Sequence, residues 1–522
     1  MSLEFVREMI KVSQVIGEDS SQTVVENDII VPDVKPDIAQ ILLLDGDVYA
    51  NRTEAMHDKI MVTGTILFKI LYIPDDSNDN IKSINTSVPF SYGMDMTGSR
   101  QGMNCKVNCD IEHIDYEILN GRKINIKTIL RIGARAYQTA EQEIIEGLRG
   151  IDDIQVLKEN VRVNSFIGSN KSQYTVREAL EIPSGKPSIR EILRNDVKIT
   201  GKDFRVTDNK VVAKGDINVS TLYIGDDDDS SLQIVENEIP FTHFIDLEGV
   251  DEESSCEVDF DVVNAQFEAV ENNDGEIRAI ECDVVLNIDT EGYAKKNIEK
   301  ISDAYCSRSS ISFDREDFTT EEVVVQTRSQ VILKDTLTIK EDSPEIGEVF
   351  NVLSKPVLSE CSITEDKITI EGLTNNNVLY LSNDSEKPIC CHNEEVPFRH
   401  TIDVKGANSE MPCEISMEVE HCNYSMVSST EVEVRVVINL NIKVINQVTL
   451  PLIVKVNESP IEDRKLINQP SITIYFAKPG DTLWEVAKRY LTSVSDIQSI
   501  NGLSEDDVLT AGQQIIIPKK VF

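Results

Sequence analysis

The sequence predicts a mainly β protein: three tandem antiparallel β-sandwich or barrel-like repeat domains followed by a small βααβ domain. Three observations carry this. Apolar residues alternate with a period of two through most of the chain, the pattern of half-buried strands. The same landmarks recur three times at fixed offsets. Near residue 480 the period changes from two to that of a helix, for one short stretch only.

The repeat is read from its landmarks. Gly64, Gly215 and Gly372 each precede an apolar-Leu-Tyr ending, at Leu71-Tyr72, Leu222-Tyr223 and Leu379-Tyr380. Val88-Pro89-Phe90, Ile239-Pro240-Phe241 and Val396-Pro397-Phe398 follow in step. The copies are separated by 151 and then 157 residues, and Gln22, Gln173 and Gln330 obey the same offsets. So do Ile38, Ile189 and Ile346, and Cys105, Cys256 and Cys413. Register held in three copies over such a length marks a triplicated domain of roughly 145 residues.

Within a copy, Ile60, Val62, Gly64, Ile66, Phe68, Ile70 and Tyr72 alternate with more polar neighbours, and Val432 to Val444 does the same in copy 3. β-branched residues at that spacing fit a pleated surface. Acidic turns fall in register at Pro74-Asp75-Asp76, Gly225-Asp226-Asp227 and Ser382-Asn383-Asp384. A short helix is expected near Ile38-Ala39-Gln40-Ile41-Leu42 and its equivalents. Linkers are expected near Glu146–Gln155, Ser302–Ser312 and Asn457–Pro470. The domains then run over 1–150, 151–305, 313–457 and 471–522.

Charge narrows the function. The 522 residues carry 91 acidic against 51 basic side chains, a formal net charge of −40. Such a surface repels phosphate backbones and anionic lipid, which argues against nucleic acid as a partner and against membrane surfaces. No run of 18 apolar residues offers a membrane span, so no membrane insertion is expected. Acidic residues interrupt the start, Met1-Ser2-Leu3-Glu4, which does not read as a signal peptide. Ten widely spaced cysteines fit free thiols in a reducing compartment.

The tail is the most specific segment. Ile472, Ile474 and Phe476 alternate as a strand before the turn Pro479-Gly480. Thr482 and Glu485 have capping-box spacing, and Leu483, Val486, Ala487 and Tyr490 form one helical stripe. Ser495 and Gln498 have the spacing of a second box, and Gly502 can end that helix. Ile515 and Ile517 close the unit as a strand before Pro518.

The run Lys478-Pro479-Gly480-Asp481-Thr482-Leu483-Trp484, with Val486-Ala487, Asn501-Gly502-Leu503 and Gly512-Gln513, resembles a LysM domain. Modules of that family usually bind N-acetylglucosamine glycans such as peptidoglycan, in a groove between the first strand–helix loop and the loop after the second helix. The resemblance implicates Gly480, Asp481, Thr482 and Leu483 on one side and Asn501, Gly502, Leu503 and Leu509 on the other. Trp484 offers a rigid contact area for a partner, or else caps the module's small core. Ser504-Glu505-Asp506-Asp507 adds an acidic lip.

Three such β copies ahead of a LysM tail resemble the SPOCS-type domains of the SipL-type spore coat morphogenetic family. That resemblance implies a non-enzymatic structural protein of the spore coat, in the mother-cell cytoplasm at the forespore surface. It also implies tethering of coat layers, with other coat proteins and the coat morphogenetic ATPase (stage IV sporulation protein A) as partners. The LysM motif by itself implies the alternative, a peptidoglycan-binding protein of wall or cortex.

Other chemistry is weakly signalled. Cys390, Cys391, His392, His400, Cys413, His421 and Cys422 concentrate in copy 3, but they lack paired zinc-ligand spacing, and strand alternation sends Cys390 and Cys391 to opposite faces. Asp226–Asp229 lacks the ordered ligands of a calcium loop and reads as a hairpin tip. Phosphate loops, nucleophile elbows and metalloprotease motifs do not occur. No metal, no other cofactor and no catalytic residue is expected.

Overall fold

The computed structural model describes residues 4–75, 81–150, 153–227, 231–272, 275–306, 309–341, 343–384, 389–460, 472–504 and 507–518. The first copy contains β1 (Glu4–Ile30), β2 (Ile38–Met56), β3 (Lys59–Pro74), β4 (Lys82–Asp95), β5 (Asn104–Asn120) and β6 (Lys123–Arg149). They form two antiparallel three-stranded sheets, β1-β6-β5 and β2-β3-β4. The alternating residues of β3 and β6 point into one shared core, with Ile60, Val62, Ile66, Phe68, Ile124 and Leu130 all buried.

The second copy repeats this with β7 (Ile154–Glu181), β8 (Ile189–Thr207), β9 (Lys210–Gly225), β10 (Leu232–Asp246), β11 (Ser255–Glu271) and β12 (Ile277–Cys306). The third uses β13 (Ser309–Thr338), β14 (Ile346–Thr364), β15 (Lys367–Ser382), β16 (Ile389–Asp403), β17 (Cys413–Ser428) and β18 (Glu431–Pro460). Each has its own core.

The repeated landmarks have physical reasons. Tyr72, Tyr223 and Tyr380 are fully buried, and each hydroxyl donates to a proline carbonyl, of Pro36, Pro187 and Pro344, at 3.0–3.1 Å. A Cβ on Gly64, Gly215 or Gly372 would press into the ring of Phe90, Phe241 or Phe398 and onto a backbone carbonyl. The glycine and the Pro-Phe motif are therefore two halves of one contact. The proline sits on an edge strand, where its missing N–H breaks no ladder.

Two expectations need correction. Residues 38–42 are not helical: they begin β2, with register shifts between Ile38 and Gln40 and between Ile41 and Leu43. The bulge after Ile38 inserts a residue, so Ile38 and Ile41, which share the core of copy 1, stand three apart as on a helix, while Leu43 faces the leucine cluster instead. The first two linkers are also far shorter than expected, since β6 runs to Arg149 with β7 starting at Ile154, and β12 runs to Cys306 with β13 starting at Ser309. Continuous strand pairing occupies the rest. In the third linker, 461–470 lie outside the described residues.

The long outer strands build a second layer of architecture. Bulges at Ile16, Ile167 and Val324 mark where each barrel-like unit ends. Beyond them β1 pairs only with β6, β7 with β12 and β13 with β18, as three two-stranded ribbons. The ribbons pack on one another through equivalent positions. Ile145, Ile301 and Ile453 meet in one apolar layer with Phe5, Val156 and Phe313. Ile10, Val161 and Phe318 meet in the next. At the opposite end Leu71, Leu222 and Leu379 cluster with Ile81, Leu232 and Ile389. Every layer draws the same position from all three copies, so the body has a pseudo-threefold axis.

Between the apolar layers the axis is charged, and there the copies differ. Arg135, Glu291 and Lys443 are equivalent, as are their cross-strand partners Lys106, Glu257 and Glu414. Arg135 bridges Glu321 and Glu414 of copy 3, Lys443 bridges Glu257 of copy 2, and Lys106 bridges Asp259 of copy 2. Beside the leucine layer, Arg194 (5% exposed) holds Asp45 of copy 1 at 2.7 Å and Asp196 at 2.6 Å. Lys69 joins the same Asp196 at 2.9 Å. Three identical copies would set like charges against each other here; divergence turned these positions into complementary pairs.

Candidate binding site

The C-terminal module pairs β19 (Ile472–Phe476) with β20 (Gln514–Pro518) and packs α1 (Leu483–Tyr490) and α2 (Val494–Asn501) against them. The capping box is complete: Thr482 Oγ1 accepts from the Glu485 N–H at 3.2 Å, and the Glu485 carboxylate accepts from the Thr482 N–H at 3.2 Å. The cap of α2 differs from expectation. Ser493, not Ser495, holds it, accepting from the Asp496 N–H at 3.1 Å. Serines stand at both 493 and 495, and residue type alone does not choose between them as the cap. Gly502 closes α2 in the left-handed conformation (φ 64°).

The nine sequence-derived residues come together on this module, most of them with a role in its construction. Gly480 is an exposed turn glycine (φ 87°). The Asp481 carboxylate accepts from the Lys478 N–H at 2.8 Å and from the Tyr475 hydroxyl, and that second bond holds its pKa below the usual carboxylate range. Leu483 and Leu509 are buried in one small core, and Leu503 packs half-buried against it. Asn501 stitches α2 to β20, donating to the Ile516 carbonyl and accepting from its N–H, both at 2.7 Å. Of the acidic lip, Glu505 and Asp506 lie outside the described residues, and Asp507 accepts from the Ser504 N–H at 2.7 Å.

Trp484 has a partner that sequence reading missed. Its indole Nε1–H donates to Asp303 of copy 2 at 2.8 Å, and its ring meets Tyr305 edge-on at 4.9 Å between centroids. Lys488, one turn along α1, pairs with Asp303 at 2.7 Å. The Tyr305 hydroxyl donates to the Thr492 carbonyl at 2.7 Å, and burial raises its pKa above the ordinary phenol value. Trp484 is thus an anchor, and among the described residues its anchorage is on this chain's own second ribbon. No local signal in Ser302-Asp303-Ala304-Tyr305 announces that role.

The module leaves an apolar strip open. Ile472, Ile474 and Phe476 lie on one face of β19 and are 63%, 55% and 61% exposed.

The histidines and thiols of copy 3 scatter. Cys390 packs into that copy's core while Cys391 faces the leucine layer, where burial pushes its thiol up to about 12. His400 Nε2 pairs with Ser329 Oγ at 2.9 Å, and His243 with Ser172 at 2.6 Å. The equivalent pair in copy 1 is Ser21 with Tyr92. A tyrosine in the same place identifies these as seam contacts between β1 and β4 and their counterparts, not as activated serines. In the run Asp226–Asp229, Asp228 and Asp229 lie outside the described residues; Asp227 accepts from the Ser231 N–H at 2.7 Å.

Fold and site define a class: a triplicated β body that carries a small docked βααβ module. Comparison with known families agrees. The SipL SPOCS domain family matches residues 37–119, 188–270 and 345–427, and the LysM domain family matches residues 475–518. The chain therefore has the SipL-type architecture, three SPOCS domains closed by a LysM domain, and is a spore-coat-related protein of the sporulation class. Both are non-catalytic domain families. Each SPOCS match spans β2 to β5 or its counterpart, so the long strands that build the ribbons lie mostly outside it. No curated protein and no solved structure matches the chain. No helix is long and apolar enough to cross a membrane, among the described residues.

Proposed function

We propose that the chain is a coat scaffold of the mother cell: the threefold body holds coat proteins at the forespore surface, and the docked LysM module engages the coat morphogenetic ATPase that the SipL-type resemblance implies. On this reading the units 1–150, 151–305, 313–457 and 471–522 act as three scaffold domains and one recognition domain. The observation that carries a protein partner is the open strip Ile472, Ile474 and Phe476. Two branched aliphatic side chains and a phenyl ring in line suit an apolar protein surface, where desolvation supplies the affinity. They offer a sugar hydroxyl no hydrogen bond.

A fluorescent fusion tests this. The full chain should ring the forespore, and Ile474→Asp with Phe476→Ser should disperse it while the protein stays folded. A diffuse signal from the intact fusion during sporulation would count against the scaffold reading.

The second reading, a binder of peptidoglycan, rests on the LysM match. It places the ligand between Gly480–Leu483 and Gly502–Leu509, with Leu503 as the accessible apolar contact. Cosedimentation of the whole protein with purified peptidoglycan, abolished by Leu503→Asp, would support it; absence of sedimentation would remove it.

A further inference from the structure

The third copy carries a chemical feature that its two sisters lack. Its sandwich closes along a seam where β14 and β17, edge strands of opposite sheets, run antiparallel past one another. The Tyr424 hydroxyl donates to the Phe350 carbonyl and fixes their alignment. The stretch from Phe350 up β14 to Cys361 is as long as that from Tyr424 down β17 to Cys413, so this contact brings the two cysteines level across the seam. There the two thiols meet. Both pack against the core of copy 3 and are half-buried, within reach of a small reagent.

The equivalents of Cys413 are Cys105 and Cys256, whereas Cys361 corresponds to Thr53 and Phe204, opposite Val62 and Ala213 as Cys361 is opposite Ile370. Only copy 3 thus sets two sulfurs face to face at this seam.

We propose that Cys361 and Cys413 form a reversible intramolecular disulfide that clasps the two sheets of the third copy when the surroundings become oxidising. The oxidant is a low-molecular-weight disulfide. The Cys361 thiolate attacks one of its sulfurs and releases the first thiolate, leaving a mixed disulfide on Cys361. Deprotonated Cys413 then attacks Cys361 Sγ and expels the second. Two protein thiols lose two protons and two electrons, and one small disulfide becomes two thiols. The shared hydrogen bond favours this order: it holds the Cys361 thiol below its ordinary value and, together with burial, pushes Cys413 above. Elsewhere burial pushes the Cys109, Cys256 and Cys282 thiols up to about 11, which keeps them protonated and slow.

The test uses the full chain, incubated with glutathione disulfide, alkylated and mapped by mass spectrometry. The proposal expects two of the ten thiols to disappear together as a Cys361–Cys413 peptide, at monomer mass, with recovery under dithiothreitol. Cys361→Ser and Cys413→Ser should each abolish that peptide. Because either serine variant could perturb the seam, circular dichroism of both is compared with the parent. Ten free thiols after oxidation, a dominant crosslink between other cysteines, or a dominant intermolecular crosslink would each overturn the proposal.

Discussion

The threefold body and the docked module are held by opposite strategies. Along the body axis every apolar layer takes one position from each copy, so no copy can leave without opening all three layers. The module contacts one ribbon through a handful of groups, Trp484, Lys488 and Thr492 against Asp303 and Tyr305. Its own core is small and closed by its own cap and stitch, Thr482 and Asn501. The body should therefore unfold as one unit, while the module can detach without unfolding. A scaffold that must hold shape and still engage a partner needs both kinds of joint.

The largest effect should come from the axis. Arg194→Ala leaves Asp45 and Asp196 facing each other without their guanidinium. Loss of one partner of a buried ion pair costs about 3–5 kcal/mol, so urea unfolding of the whole body should shift in one transition. The same cluster sets an acid limit. Burial is the largest influence on both carboxylates and raises them. The charges of Lys355 and Arg194 on Asp45, and of Arg194 and Lys69 on Asp196, outweigh it and hold both below the ordinary range. Their contribution is therefore complete above about pH 4, the unfolded value, and is lost as pH falls through the native values. The Arg194→Ala protein should lose this acid dependence, measured as stability from neutral pH downward.

Next comes the ribbon layer. Ile301→Ala empties a position shared by all three copies and should cost about 2–5 kcal/mol, again in a single transition. Separate melting of copy 2 would break the comparison. Smallest is Tyr305→Phe, which deletes one hydrogen bond to the module at about 1 kcal/mol. It should speed proteolytic release of the module and leave the body transition in place.

The strands, the triplication and the module were legible in the sequence because each rests on local rules. Period two, landmarks recurring at fixed offsets and the Thr482–Glu485 box can all be read without knowing any distant partner. The threefold arrangement was not legible, because Ile145, Ile301 and Ile453 are ordinary alternating strand residues until three ribbons meet. The bulge at the start of β2 produced a helical spacing in a strand. The role of Asp303 and Tyr305 was hidden for a similar reason: a carboxylate and a phenol near a strand end gain meaning only opposite Trp484. In the module, the groove positions follow from the LysM resemblance. That most of them also brace the module's own fold follows only from their hydrogen bonds and burial.

The docked module is tested most directly by its indole, since Trp484 is the only tryptophan in the chain. Its emission should be that of a half-buried ring in the parent protein. Asp303→Ala, which removes the acceptor of the indole N–H and the partner of Lys488, should shift emission toward that of a solvated indole with the body still folded by circular dichroism. An emission spectrum unchanged by Asp303→Ala, and already solvent-like in the parent, would contradict the account of a module anchored on the second ribbon.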